Sequence, residues 1–416
     1  MQAVIAIPPR QTLLQFGAAE QALLQEVAGT PLLVRVIATA MRGGVDSLLV
    51  IWPDDVDPSI WERCAASRPL RGLKRYKLFR SSMFDPRSTD TWAAIATSLE
   101  DRFVWLPWSW ITHKRALAGL PSIPVRPSNW DYPTLIEKRA VLYGSRVRVM
   151  PGRAVDGVPI TSRADVARAE RFLVGHSGKP TDGMYSKFNR LLCRPAVRLL
   201  THTPVTPNQV TVAGLVVAIV AALVFARGSY LNYVGGALLF FLSGLVDEID
   251  GMLARIKFME SSFGTWFEGF VDNATYLLVF SGITAGLYRQ RGSHEQFYGL
   301  ALLIGCLLSF IVIALQRKTA TAADRPHEYS GRMNQLMDSD SSNWISFITR
   351  QVHVFIKKGV AIHYLLIFTL AGGLPLFLRL AAFGSNLTWV LTLYFNHRFF
   401  RRQHIAGIEK TIQNAA

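Results

Sequence analysis

Residues 245–276 read LVDEIDGMLARIKFMESSFGTWFEGFVDNATY, and this stretch decides how the rest of the chain is understood. Asp247 and Asp250 are three residues apart, so on a helix they share a face. Glu268 and Asp272 are four apart and share a face on the helix that follows. Apolar runs flank the stretch on both sides, which places the four carboxylates at the ends of adjacent membrane helices. Bare carboxylates there repel one another, and ionisable groups in such places are costly enough to mark functional sites. Divalent cations relieve the repulsion, and oxygen-only ligands suit magnesium or manganese. Gly251 and Ala254 have almost no side chain. They let a nucleotide approach the backbone, although small residues also serve helix packing in membranes. Arg255 adds a fixed positive charge suited to a pyrophosphate.

Around this stretch the sequence predicts six apolar segments, each long enough for a bilayer core of about 30 Å. They run over 212–226, 233–246, 266–288, 297–315, 359–374 and 376–395. Arg317, Lys318, Arg325, Arg332, Arg350, Lys357 and Lys358 crowd the loop between the fourth and fifth segments, and Arg398, Arg401 and Arg402 follow the sixth. Arg227, Arg289 and Arg291 are the main positives on the other side. This bias orients both termini and the carboxylates towards the cytoplasm, in the inner (cytoplasmic) membrane. Before the first segment, Lys187, Arg190, Arg194 and Arg198 recur at helical spacing. Phe188, Leu191, Leu192 and Leu199 fall largely on another side, as in a helix lying in the membrane interface.

The first 175 residues have a different texture. Short apolar strands at 3–7, 45–52 and 103–106 alternate with helical patterns at 32–41 and 91–99. That alternation predicts an α/β domain with a parallel sheet and crossover helices. Gly178, Pro180 and Gly183 mark a linker. The expected organisation is therefore an α/β domain over 1–175, a linker and interfacial helix over 176–210, an all-α six-helix transmembrane domain over 211–400, and a cytoplasmic tail over 401–416.

Half of the 416 residues are hydrophobic, and 45 basic against 29 acidic residues leave a net charge of +16. A nucleic-acid binder would share the charge but not the apolar runs, so no nucleic-acid partner is expected. Cys64, Cys193 and Cys306 are scattered without metal-ligand spacing and read as reduced thiols. The N-terminus MQAVIAIPPRQTLL lacks the basic and apolar regions of a secretory signal.

The stretch 247–272 closely resembles the signature of the CDP-alcohol phosphotransferase (CDP-alcohol phosphatidyltransferase) family. That pattern is Asp, two residues, Asp-Gly, two residues, Ala-Arg, eight residues, Gly, three residues, Asp, three residues, Asp. It is filled by Asp247, Asp250-Gly251, Ala254-Arg255, Gly264, Glu268 and Asp272. The TPNQVT entry to the first segment extends the resemblance to about 180–400. It implies a membrane transferase of phospholipid or polar phosphodiester synthesis that moves a phosphoalcohol unit from a CDP-alcohol to a hydroxyl acceptor, releasing CMP. By the same resemblance, Asp247, Asp250, Glu268 and Asp272 would bind a pair of Mg2+ or Mn2+ ions, and Asp272 would be the general base. Asp247, Asp250, Gly251, Ala254, Arg255 and Gly264 would contact the CDP portion. Lys187, Arg198, Arg350, Lys357 and Lys358 are candidates for holding an anionic acceptor, a lipid or inositol phosphate, and a homodimer in the lipid bilayer is expected. One position departs: Glu268 stands where the family has its third aspartate. The alternative is a catalytically impaired scaffold or regulatory relative.

The first half loosely resembles sugar-nucleotide nucleotidyltransferases, through GTPLLVRVIATAMRGGVDSLLVI and GVPITSRADVARAERFL. The glycine-rich loop expected after the first strand is replaced by IPPRQTLLQFG, and the metal-binding aspartate by FVWLPWSWIT. An inactive nucleotidyltransferase-like domain is therefore expected. The fusion of the two halves resembles bifunctional inositol-phosphate cytidylyltransferase/di-myo-inositol-phosphate-phosphate synthases, which raises a polar CDP-alcohol beside CDP-diacylglycerol as donor.

Overall fold

Alanine, valine and isoleucine dominate β1 (Gln2–Ala6), and leucine, valine and isoleucine dominate β4 (Ser47–Trp52); the residues of both are almost wholly buried. Such near-continuous apolar runs belong to strands covered on both faces. In the computed structural model, which describes residues 1–15, 19–120, 130–143, 155–179, 183–320, 345, 358–395 and 397, they form the centre of a five-stranded sheet. Between them lie α1 (Arg10–Leu14), α2 (Ala19–Leu24), the small hairpin of β2 (Glu26–Val27) and β3 (Thr30–Pro31), and α3 (Leu32–Arg42). After β4 come α4 (Ser59–Ala65), β5 (Arg75–Arg80), α5 (Thr89–Ile95), β6 (Arg102–Trp105), β7 (Trp110–Thr112), α6 (Lys114–Ala118), β8 (Thr134–Glu137), α7 (Lys138–Leu142), β9 (Gly157–Pro159) and α8 (Arg163–Gly175).

The strand order is β5-β4-β1-β6-β8. β1, β4, β5 and β6 are parallel, whereas β8 runs antiparallel to β6. The expected parallel sheet is thus mixed at one edge. There Arg102 stands opposite Glu137, with Nε and Oε1 3.6 Å apart. At the other edge β5 carries Arg75, Lys77 and Arg80, a charged rim that discourages further strand pairing. The core against β6 is aromatic. Trp92, Trp105 and Trp130 pack together, and the Trp105 indole donates to the Trp130 carbonyl at 2.8 Å.

The chain forms two compact units. The first comprises Met1–Ser177, Val197–Pro204 and Arg255–Met259; the second comprises Gly178–Ala196, Val205–Ala254 and Glu260–Ala416. The described part of the second unit is helical: α9 (Met184–Thr201), α10 (Pro207–Phe225), α11 (Tyr230–Ile256), α12 (Ser262–Arg291), α13 (Ser293–Ala320), α14 (Lys358–Leu370) and α15 (Leu374–Phe395). α9 and α11 each run their last residues into the first unit.

Among the described residues four helices are long and apolar enough to cross a membrane: Pro207–Phe225, Ser262–Arg291, Ser293–Leu315 and Leu374–Phe395. Val360–Leu370 is apolar but shorter, and α11 is not among the four. The helices overrun the apolar segments because caps, not hydropathy, set their ends. α10 starts at Thr206, whose hydroxyl accepts from Gln209 N while the Gln209 side chain accepts from Thr206 N, with Pro207 in the first turn. α12 starts at Ser261, whose Oγ accepts from Gly264 N at 3.0 Å.

α10 packs on α12, α12 on α13, and α13 on α15. Gly282 and Gly286, four apart on α12, make the first contact possible. A Cβ at Gly282 would collide with the Ala222 carbonyl, and one at Gly286 with the Phe225 carbonyl. This is the close backbone approach that small residues at that spacing allow between membrane helices. Phe225, Tyr233, Phe240, Val279, Ile283 and Leu378 build the core behind it.

Candidate functional site

α11 continues ten residues beyond the apolar run that ends at Val246, and this extension carries the first pair of carboxylates. Asp247 is half-buried and Asp250 is buried, 3% exposed. A buried carboxylate needs donors, and Thr211 of α10 supplies one: its Oγ1 lies 2.5 Å from Asp250 Oδ2. Two turns earlier on α11, Ser243 Oγ donates to the Gly214 carbonyl at 2.9 Å. These two contacts fix α11 against α10 on the side where Asp250 projects.

Glu248, between the two aspartates, has a different partner. Arg190 of α9 donates from Nε to Glu248 Oε2 at 2.9 Å, with side chains only 10% and 16% exposed. Cys193 Sγ, almost one turn further along α9, donates to the Leu245 carbonyl at 3.3 Å. Arg190 has therefore left the basic face assigned from its spacing and docks α9 on α11. The charge of Glu248 is matched by Arg190. Phe188, Leu191, Leu192 and Leu199 are exposed on α9, while Asn189, Cys193 and Val197 are buried.

The second pair sits near the start of α12. Glu268 and Asp272, one turn apart, are both half-buried. Phe263, Trp266 and Phe270 point outward on the same helix and are exposed. Gly264 occupies the first turn, where a Cβ would lie 3.5 Å from Asn208 Oδ1 and 3.0 Å from Ser261 Oγ. The first turns of α10 and α12 are therefore neighbours at the end of the unit that bears the carboxylates. Gly251 and Ala254 are half-buried on α11. The donor set of the motif is carboxylate oxygen alone, with no imidazole or thiolate, and so fits a hard cation such as Mg2+ or Mn2+.

The structure places the other candidates as follows. Arg255 donates from Nε to the Ser177 carbonyl within the first unit. Two residues on, Lys257 Nζ donates to the Thr203 carbonyl at 2.5 Å, and Phe258 adopts φ 57°. Arg35 and Arg42 stand over the Phe258 ring at 5.0 and 4.6 Å. Arg198 lies 3.8 Å from Glu170 Oε2 and Lys187 is exposed. Arg350 and Lys357 lie outside the described residues, and Lys358 opens α14. Arg379, a charge inside the sixth apolar segment, pairs with buried Glu295 at 2.7 Å.

Spacing alone missed three residues that matter here: Thr211, Arg190 and Glu248. Thr211 is the last residue of TPNQVT, so position in that entry sequence was a usable signal. Glu248 is a further carboxylate inside the motif, but its buried partner lies 58 residues away.

A family model described as CDP-alcohol phosphatidyltransferase matches residues 204–393. Among curated proteins, the archaetidylinositol phosphate synthase of Methanothermobacter thermautotrophicus is 29% identical over 105 residues, which is 25% of this chain and 52% of that protein. Two proteins named bifunctional IPC transferase and DIPP synthase are each 32% identical. That of Rubrobacter xylanophilus matches over 40% of this chain and 37% of its own length, and that of Thermococcus kodakarensis over 38% and 36%. The chain thus spans about half of the first relative and little more than a third of the other two. The match begins at the α10 cap and ends in α15, enclosing all four carboxylates. Residues 204–393 form a CDP-alcohol phosphatidyltransferase domain.

Proposed function

We propose that the protein is a membrane transferase that moves a phosphoalcohol group from a CDP-alcohol to a hydroxyl acceptor and releases CMP. The observation that carries this reading is the eight-position motif from Asp247 to Asp272, divided between α11 and α12 with Asp250 held by Thr211. Asp247, Asp250, Glu268 and Asp272 would hold Mg2+ or Mn2+. Such a pair of cations supplies charge stabilisation to both the entering and the leaving oxygens of an in-line displacement.

The chain's own residues have distinct parts in this reading. Asp272 takes the proton of the acceptor hydroxyl as its oxygen bonds to phosphorus. The bond from that phosphorus to the CMP oxygen breaks, and CMP leaves with the electron pair. Gly251, Ala254 and Gly264 leave room for the cytidine and its phosphates, and Arg255 offers positive charge near the pyrophosphate. Thr211 and the Arg190–Glu248 pair position α11 and touch no substrate. Glu268 reaches one methylene further than an aspartate and serves as the third acidic ligand.

The donor is a CDP-alcohol with either a lipid or a polar inositol-type alcohol, and the names of the curated relatives support both classes. Lys187, Arg198, Arg350, Lys357 and Lys358 remain candidates for an anionic acceptor. We place the carboxylates and both termini on the cytoplasmic side, because the positive loop residues gather there. In this reading helices α10–α15 are six spans, α9 lies in the interface, and the protein works as a homodimer.

The first unit is proposed as an inactive nucleotidyltransferase-like domain. Pro8 and Pro9 follow β1 where a triphosphate would need backbone N–H donors, and Pro9 instead precedes the first turn of α1. At the end of β6, where the metal-binding aspartate of such a domain would stand, Trp105 packs edge-on against Trp130. The CDP-alcohol would then come from a separate enzyme.

CDP binding tests the site without requiring the right alcohol. Full-length protein is expected to bind CDP when Mg2+ or Mn2+ is present and to lose that binding in Asp250→Asn. Metal-independent CDP binding, or none in either condition, would overturn the assignment.

A further inference from the structure

His113, Asp156 and His176 converge in the first unit, and nothing in the transferase reading uses them. Their candidate ligand atoms, one from each side chain, all lie within 4.8 Å of one another. Asp156 Oδ2 is 3.1 Å from His176 Nε2 and 3.8 Å from His113 Nε2. The fold produces this meeting. β7 pairs antiparallel with β9 with Thr112 opposite Gly157, so the next residues outward, His113 and Asp156, also face each other. Thr112 Oγ1 donates to the Asp156 carbonyl at 2.6 Å and pins that backbone. His176 caps the C-terminus of α8, where its backbone N–H donates to the Phe172 carbonyl at 3.0 Å.

The hydrogen bonds also select the ring atoms. His176 Nδ1 lies 2.9 Å from the same Phe172 carbonyl, so in the neutral ring Nδ1 is the N–H donor and Nε2, which faces Asp156, is the nitrogen able to ligate. A ligating histidine is ordinarily oriented by such a carbonyl contact on its other nitrogen. His113 Nδ1 accepts from Ala116 N at 3.2 Å, but that N–H is also held by the His113 carbonyl at 3.0 Å. A change of tautomer that turns the His113 Nε2 lone pair outward therefore orphans no backbone group. The His176 side chain is 38% and that of Asp156 63% exposed, so water can reach the site and complete it.

We propose that His113, Asp156 and His176 bind a divalent transition-metal ion of the zinc class, through two imidazole nitrogens, one carboxylate oxygen and water. Two nitrogens and one oxygen favour such an ion over magnesium or calcium. In a tetrahedral zinc site with bonds of about 2.0–2.1 Å, neighbouring donors sit roughly 3.3 Å apart. The 3.1 and 3.8 Å separations are close to that spacing. The two rings are stacked, with centroids 4.8 Å apart and planes at 14°, so capture requires the more exposed His176 ring to tilt. Bound there, the ion ties the end of α8 to the β7–β9 pair.

Cobalt(II) reads the site directly, because four-coordinate nitrogen-containing sites absorb far more strongly in the visible than six-coordinate oxygen sites. Untagged full-length protein in detergent, with excess Mg2+ to occupy the membrane carboxylates, is titrated with Co2+ and back-titrated with Zn2+. We expect one equivalent of strongly absorbing Co2+, displaced by Zn2+ and retained in Asp247→Asn. His176→Asn keeps a donor for the Phe172 carbonyl and removes Nε2; it and Asp156→Ala should weaken binding by ~100-fold or more. Metal-free thermal unfolding of His176→Asn matching that of the parent shows that lost binding is not lost folding. Absence of the absorption, its persistence in His176→Asn, or its loss in Asp247→Asn would each overturn the proposal.

Discussion

Thr211 and Asp250 form the contact on which the first carboxylate pair depends, since Asp250 is buried and its Oδ2 accepts the threonine hydroxyl. Removing that donor while keeping the shape costs the carboxylate part of its solvation, on the order of 1–3 kcal/mol. We expect Thr211→Val to raise the Mg2+ concentration for half-maximal CDP binding by roughly 10-fold or more; an unchanged metal requirement would remove Thr211 from the site. Glu268 is the other decisive residue. Glu268→Gln keeps the length and loses the charge, and should lower turnover by at least ~100-fold, about 2.7 kcal/mol of barrier. Glu268→Asp restores the family's residue and should retain turnover. Should Glu268→Gln turn over like the parent, its carboxylate is not a ligand. The motif itself was legible because its residue types and spacings are local. Arg190 was not, because periodicity places a residue on a helix face without naming the partner that buries it.

At the scale of elements, the Arg190–Glu248 pair decides how α9 meets α11. Breaking a buried pair by removing one partner typically costs about 3–5 kcal/mol, because the other charge is left without compensation. Arg190→Ala should therefore lower the thermal unfolding temperature, and adding Glu248→Gln should recover part of the loss; equal unfolding temperatures for parent and Arg190→Ala would contradict the docking. In the first unit, Asp165 Oδ2 accepts from the backbone N–H and hydroxyl of both Thr161 and Ser162 at the start of α8. These donors, led by the Thr161 hydroxyl, hold its pKa down at about 2. A carboxyl with a depressed folded-state pKa stabilises above its unfolded value of about 3.9 and loses that contribution as pH falls towards 2. Hydrogen exchange in the first turn of α8 should accelerate over that window and in Asp165→Ala at neutral pH, by about 1 kcal/mol of cap stability. Exchange unchanged in the variant would contradict it. The strands and their cores were readable from runs of valine, isoleucine and leucine. The antiparallel direction of β8 was not, because chain direction depends on the connection rather than on side-chain pattern. Helix ends were misjudged where Thr206 and Ser261 cap helices beyond the apolar residues.

For the whole molecule, charge and hydropathy divide the chain into an α/β part and a helical part, and the structure has both. Sequence could not show that Arg255–Met259, the end of α11 and the first part of its connection to α12, belongs to the first compact unit. That assignment depends on Phe258 beneath Arg35 and Arg42, residues more than two hundred positions earlier. The site is similarly uneven. Its carboxylates stand in one motif, while the hydroxyl that holds Asp250 comes from α10, and the arginine that docks on α11 through Glu248 comes from α9. The central claim, that these carboxylates carry out phosphoalcohol transfer, is tested most directly by CMP release. Purified full-length protein with Mg2+ is supplied with a panel of lipid and polar CDP-alcohols and hydroxyl acceptors. CMP should form with at least one donor–acceptor pair, and Asp272→Asn should abolish it while leaving much of the Mg2+-dependent CDP binding intact. CMP release that continues undiminished in Asp272→Asn would contradict the account.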